Sequence, residues 1–537
     1  MNRFKVLIFF IVLLLWCCAL VYHVKPDYDL FARLIAGMSV VENGKVLMHD
    51  FYSYTQTNPV WLDHEYGASV VIYWVTTLSE FFHKTKFEML VILQQLLIFA
   101  IMSLCVLCVK IRKPQFSVPY QILYFALAAL AAKIAFVPTI RCHLFTFLFF
   151  ALLLVILEGY RNYNKKYLLC FVPVLMLVWA NTHGGCLSGL GILALYALGE
   201  ALNKKDFKPY LITLFVSFAM LFINPYGIDY VKFLFTAGTM DRTLIQEWQS
   251  PFVIHGQAVN FIVYFAFMFG IFFGQLLSQK ADFKNYDKTK LFLMLSTGFL
   301  SVLYAKLIPF FVITSSIFMF DDIFEILNKN KVLKWLNNPE NKIVYAVIIL
   351  LSAVVINVGN GAKKISLIQY PYQAVEFIKQ KKLSGNLFTD MTYGSFCAYK
   401  LYPQNKIFMD GRYEEVYNPE LLEKIKNFAK QEGENPMSVV TDYPTDIVLL
   451  FSNNKSVPMT DIPLSVKLQE LGWKLIFKDG WWFVLVRPDY PYNDEIYDEF
   501  AKDKKESFHL DKYEYLSSKL FETGITKEIL KEVSSAE

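Results

Sequence analysis

The polar loop between Lys25 and Tyr66 carries acids and histidines at spacings that suit proton transfer and cation binding. It reads Lys25-Pro-Asp27-Tyr-Asp29-Leu-Phe-Ala-Arg33, then Met48-His49-Asp50-Phe-Tyr-Ser-Tyr-Thr55, then Val60-Trp61-Leu-Asp63-His64-Glu65-Tyr-Gly67. Carboxylates beside a bilayer are costly unless they are paired or used. One of them can take a proton from an acceptor hydroxyl, and Asp63-His64-Glu65 can orient a phosphate through a divalent metal or bind the acceptor. The plainer alternative is that Asp27 and Asp29 cap one helix, and His64-Glu65 the next.

Other polar residues interrupt apolar surroundings. Arg141 and His143 sit between two apolar blocks, where an arginine can bind a lipid phosphate or merely snorkel. Asn181-Thr-His183-Gly-Gly185 breaks the apolar run Tyr167–Leu202, and its glycines allow close backbone approach to a ligand. Asn224-Pro-Tyr-Gly227 reads as a helix stop and turn, while Arg242–Ser250 contributes Glu247 and Trp248 as further candidates. Met409-Asp-Gly-Arg-Tyr-Glu-Glu415 reads as a strand-end turn with an Asp–Arg ion pair rather than a catalytic motif.

The elements that must position these residues are apolar. Hydrophobic residues make up 55% of the 537 and charged residues 18%. The apolar residues fall in blocks suited to crossing about 30 Å of hydrocarbon as helices. Examples are Val6–Val24, Met89–Val109, Tyr120–Val137, His143–Leu157, Tyr210–Ile223, Phe261–Leu277 and Ile343–Val358. Barrel-type alternation is absent, so the expected class is an all-α polytopic membrane bundle. The first block reads as an uncleaved span rather than a signal peptide. The eight cysteines show no disulfide framework, and Cys105 and Cys108 read as packing residues. The net charge of +5 reflects short basic loops and does not indicate nucleic acid.

Those loops alternate. Lys110–Lys113, Arg161–Lys166, Lys204–Lys208, Lys280–Lys290 and Lys329–Lys342 are basic; Pro138–Cys142, Asn181–Cys186 and Asn224–Asn260 carry few cations. The positive-inside rule puts the basic set in the cytoplasm, and the 25–66 loop outside with the rest. Two crossings in 67–109 would break this parity, so one segment there is expected to be interfacial or re-entrant, or to hide a further crossing. The count becomes odd, about eleven to thirteen spans, with the C-terminal domain outside. Leu30–Val41 reads as an amphipathic helix lying along the membrane surface, with Asp29 at its N-terminus.

Beyond Val358 the composition changes. Glu376–Lys382, Pro419–Lys430 and Pro463–Leu471 read as helices; Asn386–Thr389, Lys406–Met409, Asp446–Phe451, Lys474–Phe477 and Trp482–Val486 read as strands. This is a small α/β domain of βαβ type with an Asp479-Gly480 hairpin turn, and no phosphate-binding glycine loop follows its strands. The expected division is 1–360 membrane domain, 361–490 α/β domain, and 491–537 charged tail with surface helices at Tyr497–Phe500 and Tyr513–Phe521.

The order of elements resembles the GT-C superfamily of glycosyltransferases, which take sugars from polyprenyl-phosphate carriers: an N-terminal span, an outside loop opening on an acidic pair, a second acidic/His cluster, many spans and an extracytoplasmic domain. Asp50-Phe-Tyr-Ser-Tyr-Thr55, Trp61-Leu-Asp-His-Glu-Tyr-Gly67, Trp179-Ala-Asn-Thr-His-Gly-Gly185, Asn224-Pro-Tyr-Gly227, Glu247-Trp248 and Phe408-Met-Asp-Gly-Arg412 are similar to bacterial members of that type, relatives of protein mannosyltransferases and aminoarabinose transferases. The similarity runs from residue 1 to about 490. The resemblance implies a catalytic acid early in the first loop, which maps to Asp29, with Asp27 the second choice and Asp63, Glu65 or Asp50 as a second acidic position. The paired Asp-Glu of O-mannosyltransferases and the WWDYG-like signature of oligosaccharyltransferases are missing, so the likeness does not extend to the marks of a protein acceptor.

The expected activity is therefore inverting transfer of a sugar from a polyprenyl-phosphate-linked donor, in a bacterial inner membrane, to an extracytoplasmic glycan, lipid or protein. Asp29 would be the base, His64 and Glu65 would shape the acceptor or metal site, and Arg141 and His183, with Asp50, His143 and Glu247, would bind substrate. The motifs call for no organic cofactor; a divalent metal would fall on Asp50, His64 and Glu65. The other class of function that fits is a non-catalytic membrane protein that binds or translocates a lipid-linked glycan, but its paired, interrupted helices with midplane charge are not evident.

Overall fold

The computed structural model describes residues 3–20, 25–55, 58–114, 139–240, 242, 245–253, 259–278, 286–323, 370–451, 464–479, 482–491 and 521–536. The first described helices are α1 Arg3–Leu20, α2 Leu30–Asn43, α3 Tyr66–Thr77, α4 Lys86–Arg112, α5 His143–Tyr163, α6 Tyr167–Ala180, α7 Cys186–Leu202 and α8 Lys208–Met220. After them come α9 Ile228–Thr239, α10 Val259–Ser278, α11 Lys288–Leu303, α12 Ile308–Phe318, α13 Tyr372–Gln380, α14 Met391–Leu401, α15 Pro419–Lys430, α16 Ser438–Thr441, α17 Leu464–Glu470 and α18 Lys527–Ala536. The chain divides into two compact units, one of Met1–Val24 with Val91–Ala362, the other of Lys25–Leu90 with Lys363–Glu537. The expected spans Tyr120–Val137 and Ile343–Val358, and most of the charged tail with its expected helices, lie outside the described residues.

The helical unit is an apolar bundle. Two described helices, α4 and α5, are long and apolar enough to cross a membrane by length and composition, and shorter apolar helices such as Tyr167–Ala180, Cys186–Leu202 and Lys208–Met220 accompany them. The described residues thus hold two full-length candidates, where the hydropathy blocks suggest about eleven to thirteen, because most apolar helices stop short of the roughly 20 residues a crossing takes. Their outward faces are nonetheless apolar: Phe171 and Val174, Ile212 and Phe215, Val263 and Phe267, and Phe299 are each more than half exposed. In water such a surface would aggregate, whereas lipid covers it without cost. The 36-residue apolar run Tyr167–Leu202 does break at 181–185, giving α6 and α7.

Small residues set the close approaches inside this bundle. A Cβ on Gly199 of α7 would lie 2.4 Å from Thr289 Oγ1 of α11, and one on Gly298 would lie 2.4 Å from the Phe269 ring. At one end of the bundle, Arg161 forks onto Asp287 at 2.9 and 2.8 Å and lies 2.7 Å from Glu200. Beside it Arg112 pairs with Glu158 at 2.8 Å, and Tyr196 donates its hydroxyl to the same carboxylate at 2.7 Å. These ties gather the helix ends that lead into the basic loops 110–113, 161–166 and 204–208.

The second unit is mixed. Its sheet comprises β1 Gly385–Thr389, β2 Asn405–Ile407, β3 Ile447–Phe451, β4 Lys474–Lys478 and β5 Trp482–Val486, in the order β2-β1-β3-β5-β4. The β2, β1 and β3 strands are parallel, while β5 runs antiparallel to β3 and β4. Asp479 starts the β4–β5 hairpin by accepting the Trp482 N–H at 2.7 Å; Gly480 lies outside the described residues. The first-loop chain joins this sheet: Ile407 donates its N–H to Tyr52 O at 2.9 Å, and Tyr54 donates to Ile407 O at 3.0 Å.

Helix α2 forms where the amphipathic pattern predicts, but it does not lie along a surface. Every residue from Leu30 to Ser39 is buried, because α3, α14 and α18 pack around it. Gly37 makes the α3 contact feasible, since a Cβ there would sit 2.1 Å from Ser69 O. On the α18 side, Asn43 donates to Leu530 O at 3.3 Å and Lys527 pairs with Glu42 at 2.9 Å. Helix α3 has 12 residues, a rise of about 18 Å, and is too short to cross a bilayer.

Candidate functional site

The mixed unit places Asp29 at the entrance of α2. The segment leading to it is held by residues far along the chain. Tyr370 donates its hydroxyl to Pro26 O at 3.1 Å and to Asp27 O at 3.0 Å, and Ser395 donates to Tyr28 O at 2.7 Å. Asp27 is 3% exposed, and its Oδ1 accepts the Asp29 N–H at 3.1 Å. Asp29 is exposed, and its side chain makes no cap hydrogen bond to α2. Its carboxylate lies against Gly411, where a Cβ would fall 1.9 Å from Oδ1. The capping account therefore does not explain the Asp29 carboxylate, nor that of Glu65, which also makes no cap bond to α3.

The turn that carries Gly411 is pinned on both sides. Asp410 and Arg412 pair at 2.9 Å, as the turn reading of this stretch predicts, and Arg412 also reaches Asp50 at 2.6 Å. Tyr52 donates to Asp410 at 2.9 Å, Tyr417 donates to it at 3.2 Å, and the guanidinium stacks 4.0 Å from the Tyr52 ring. Asp50 is thus placed in this buried network, apart from His64 and Glu65.

A second network surrounds Arg33 of α2. Its guanidinium lies 2.7 Å from Asp63, 3.3 Å from Glu65 and 3.5 Å from Glu415. His64 Nδ1 is 2.8 Å from Glu415, and Trp61 donates its indole N–H to the same carboxylate at 2.9 Å. Burial pushes the Asp63 carboxyl up to about 6 although Arg33 pulls it down. Burial also depresses the His64 imidazole, but the Glu415 bond and charge outweigh this and carry it up to about 9. Glu415 is raised by burial and lowered further by Arg33 and His64, so it stays below the usual carboxylate range.

His64, Glu65 and Glu415 offer ligand atoms within 4.8 Å of one another, a donor set that suits a divalent cation. The charge of the trio is already met by Arg33 and the imidazolium, so a metal would enter only as His64 loses its proton. Glu415 escaped the sequence reading because it lay in a stretch read as a turn, 382 residues from the arginine it faces.

In the helical unit, Arg141, His143, His183 and Glu247 come together. Arg141 pairs with Glu247, which also pairs with Lys306 at 2.9 Å. These two cations outweigh the effect of burial and hold the Glu247 carboxyl well below its usual range. The Trp248 ring has Arg242 at 4.3 Å and Lys306 at 5.0 Å. The His143 and His183 rings lie 5.7 Å apart. His183 Nδ1 accepts the Gly185 N–H at 2.8 Å and sits 3.0 Å from the Thr146 hydroxyl, itself an acceptor from Trp179 at 3.0 Å. Two donors aimed at Nδ1 assign the neutral ring its proton on Nε2. Lys306 was missed by the sequence reading, though a single lysine within the apolar run Phe299–Phe320 is a signal of the kind that marks function in membrane helices.

No family model matches the chain, and no curated protein matches it by sequence. Solved structures do. The apo oligosaccharyltransferase of Archaeoglobus fulgidus superposes with a TM-score of 0.58 at 10% identity, covering 83% of this chain and 70% of that one. The Archaeoglobus fulgidus oligosaccharyltransferase AglB, in complex with an inhibitory peptide and a dolichol-phosphate, superposes with a TM-score of 0.58 at 10% identity over 93% and 77% of the two chains. The form tethered to an acceptor peptide with the NVT sequon gives 0.54 at 10% identity over 94% and 78%. The chain therefore has a fold like that of these archaeal oligosaccharyltransferase structures. What is shared at this identity is the fold.

Proposed function

We propose that this chain is a multi-pass membrane glycosyltransferase that moves a sugar from a polyprenyl-phosphate-linked donor to an extracytoplasmic acceptor with inversion, Asp29 serving as base. The observation that carries the reading is the contrast among the first-loop acids. Asp50 and Asp63 pair with buried arginines, Glu65 faces Arg33, and Asp27 is itself buried and accepts the Asp29 N–H, whereas Asp29 is exposed, does not cap its helix and is set against Gly411. In the step, an acceptor hydroxyl oxygen bonds to the anomeric carbon as the bond to the carrier phosphate oxygen breaks. The hydroxyl proton passes to Asp29 and the carrier leaves as its phosphate. Arg141 and Lys306, with the Nε2–H of His183, suit the leaving phosphate by charge and donor geometry. Lipid-linked donor and acceptor both accord with the GT-C fold.

Topology supports the same reading. With α3 too short to cross, 67–109 contributes the single crossing α4, and the charge alternation holds without a hidden span. The 25–90 segment, the 181–185 turn, Glu247 and the C-terminal domain then lie on the extracytoplasmic side of a bacterial inner membrane. The closer kinship to bacterial relatives of protein mannosyltransferases and aminoarabinose transferases belongs to this reading as well.

The test is complementation of a host strain lacking the gene, with Asp29→Asn expressed at the wild-type level. Mass spectrometry of envelope glycans should show the product lost. Wild-type product would sink the assignment and favour a protein that binds or translocates a lipid-linked glycan.

A further inference from the structure

In the mixed unit, the strand order itself marks a place for a ligand. From β1 the chain crosses to β2 on one side and later returns to β3 on the other. In parallel sheets, ligands bind outside the carboxyl ends of the strands where the order reverses in this way. The carboxyl ends of β1 and β3 are Thr389 and Phe451, and Phe451 pairs across the sheet with Trp482, the first residue of β5. A row of aromatic rings follows this edge. The Trp482 ring lies 4.9 Å from Phe451 and 4.7 Å from Tyr393, and Tyr393 lies 5.7 Å from Tyr28. Tyr28, Tyr393 and Phe451 are half-buried. Asp390, the residue after β1, is exposed and accepts the Thr392 N–H at 2.8 Å. Burial holds the Tyr28 and Tyr393 phenols above their usual range, and the nearby Asp390 charge raises them further. Two buried polar atoms of the same edge, Thr389 Oγ1 and Trp482 Nε1, have no hydrogen-bond partner among the described residues. Their residues are 0% and 2% exposed. Each such atom costs about 1–3 kcal/mol, which a ligand hydroxyl entering between the rings would relieve.

We propose that this sheet edge, from Tyr28 past Asp390 and Tyr393 to Trp482, is the acceptor subsite and that the acceptor is a carbohydrate. The proposal rests on the reading of Asp29 as base and names the class of hydroxyl that it deprotonates. Tyr28 directly precedes Asp29, and Gly411, against which the Asp29 carboxylate lies, follows β2 by four residues. Base and aromatic row therefore share one edge of the sheet. A pyranose has the matching chemistry. Its C–H faces meet the negative faces of aromatic rings, while its hydroxyls donate to a carboxylate or the threonine oxygen and accept the indole N–H. Other classes match less well. The Asp390 carboxylate repels a phosphate or other anion. A peptide that adds a strand needs an open sheet edge, whereas β1 and β3 are paired on both sides.

The experiment is saturation-transfer difference NMR on the full-length protein in nanodiscs. The probes are the methyl glycosides of glucose, galactose, mannose and N-acetylglucosamine at millimolar concentration, with a neutral serine-containing tripeptide as the competing class. Wild type should transfer saturation to the ring C–H protons of at least one glycoside and none to the peptide. Tyr393→Leu, which keeps apolar bulk and removes the ring, should weaken that binding roughly tenfold. Asp390→Asn, which preserves the helix cap and removes the charge, should weaken it roughly threefold. Both should unfold at the wild-type midpoint; if Tyr393→Leu does not, Tyr28→Leu supplies the same readout from another segment. Product retained in Asp29→Asn, with glycoside binding still weakened in Tyr393→Leu, would remove the base and leave the acceptor subsite standing. No glycoside signal from wild type, saturation of the peptide instead, or binding that none of these ring and charge variants alters would overturn the proposal.

Discussion

Gly411 and Asp29 are so close that a single added methyl group on the glycine would fall 1.9 Å from the carboxylate oxygen. The backbone behind Gly411 cannot retreat, because Gly394 of α14 is pressed against it, with a Cβ there 2.0 Å from Met409 O. Asp29 by contrast is exposed and its carboxylate ends a short side chain, so the acid is what moves. Gly411→Ala should therefore leave the thermal unfolding midpoint within a few degrees of wild type. It should lower product formation by about 10²-fold, the effect expected of roughly 1 Å of misplacement at a reacting group. Envelope glycan yield and the unfolding curve, measured on the same preparations, check the two halves separately.

Gly37 offers the opposite case. A Cβ there would meet a backbone oxygen, Ser69 O at 2.1 Å, and neither helix has a side chain that can swing aside. Gly37→Ala should separate α2 from α3 and cost about 1–3 kcal/mol. Limited proteolysis within 58–90 should become faster, and expression should fall before any specific catalytic defect is visible.

The His64–Glu415 pair predicts a pH dependence of stability. The folded-state pKa of His64 is raised to about 9 from 6.5, so the folded state holds the proton more tightly than the unfolded chain. The stabilisation is fully present below about 6.5 and is lost as pH rises through about 9, up to about 3 kcal/mol over that window. Unfolding midpoints of wild type and His64→Gln should differ at pH 6 and converge by pH 10. A difference that grows above pH 9 would contradict the pairing.

Much of the local structure was legible in the sequence. Helix α2 was expected at Leu30–Val41 and runs Leu30–Asn43; α15 and β5 fall on the expected residues. Helix α15 has a wet face and a buried face, so its pattern repeats at the helical period, and β5 is a short apolar run of the kind a buried strand needs. Helix α14 was not foreseen. It is buried from Gly394 to Leu401, so no polar stripe reveals its period. The surface placement of α2 failed for a related reason: its polar residues Arg33 and Ser39 are buried, Arg33 against acids drawn from both ends of the chain.

The candidate site was legible only as an inventory. Sequence could gather Asp27, Asp29, Asp63, His64 and Glu65 in one loop and set Arg141, His143, His183 and Glu247 apart from their apolar surroundings. It could not sort the acids, because sorting depends on residues hundreds of positions away: Arg412 pairs with Asp50, Glu415 shares Arg33 with Asp63 and Glu65, and Tyr370 holds the backbone that leads to Asp29. Nor could it join the 25–90 segment to 363–537 in one unit, since that pairing leaves no local pattern in either stretch.

The most direct test of the account is to compare Asp29→Asn with Asp29→Glu in a gene-deleted host, quantifying both envelope glycan and the lipid-linked sugar. If Asp29 is the base, the asparagine variant loses product by at least about 10²-fold and accumulates unused donor, while the glutamate variant keeps partial activity. Product at the wild-type level in Asp29→Asn, with no build-up of donor, would contradict it.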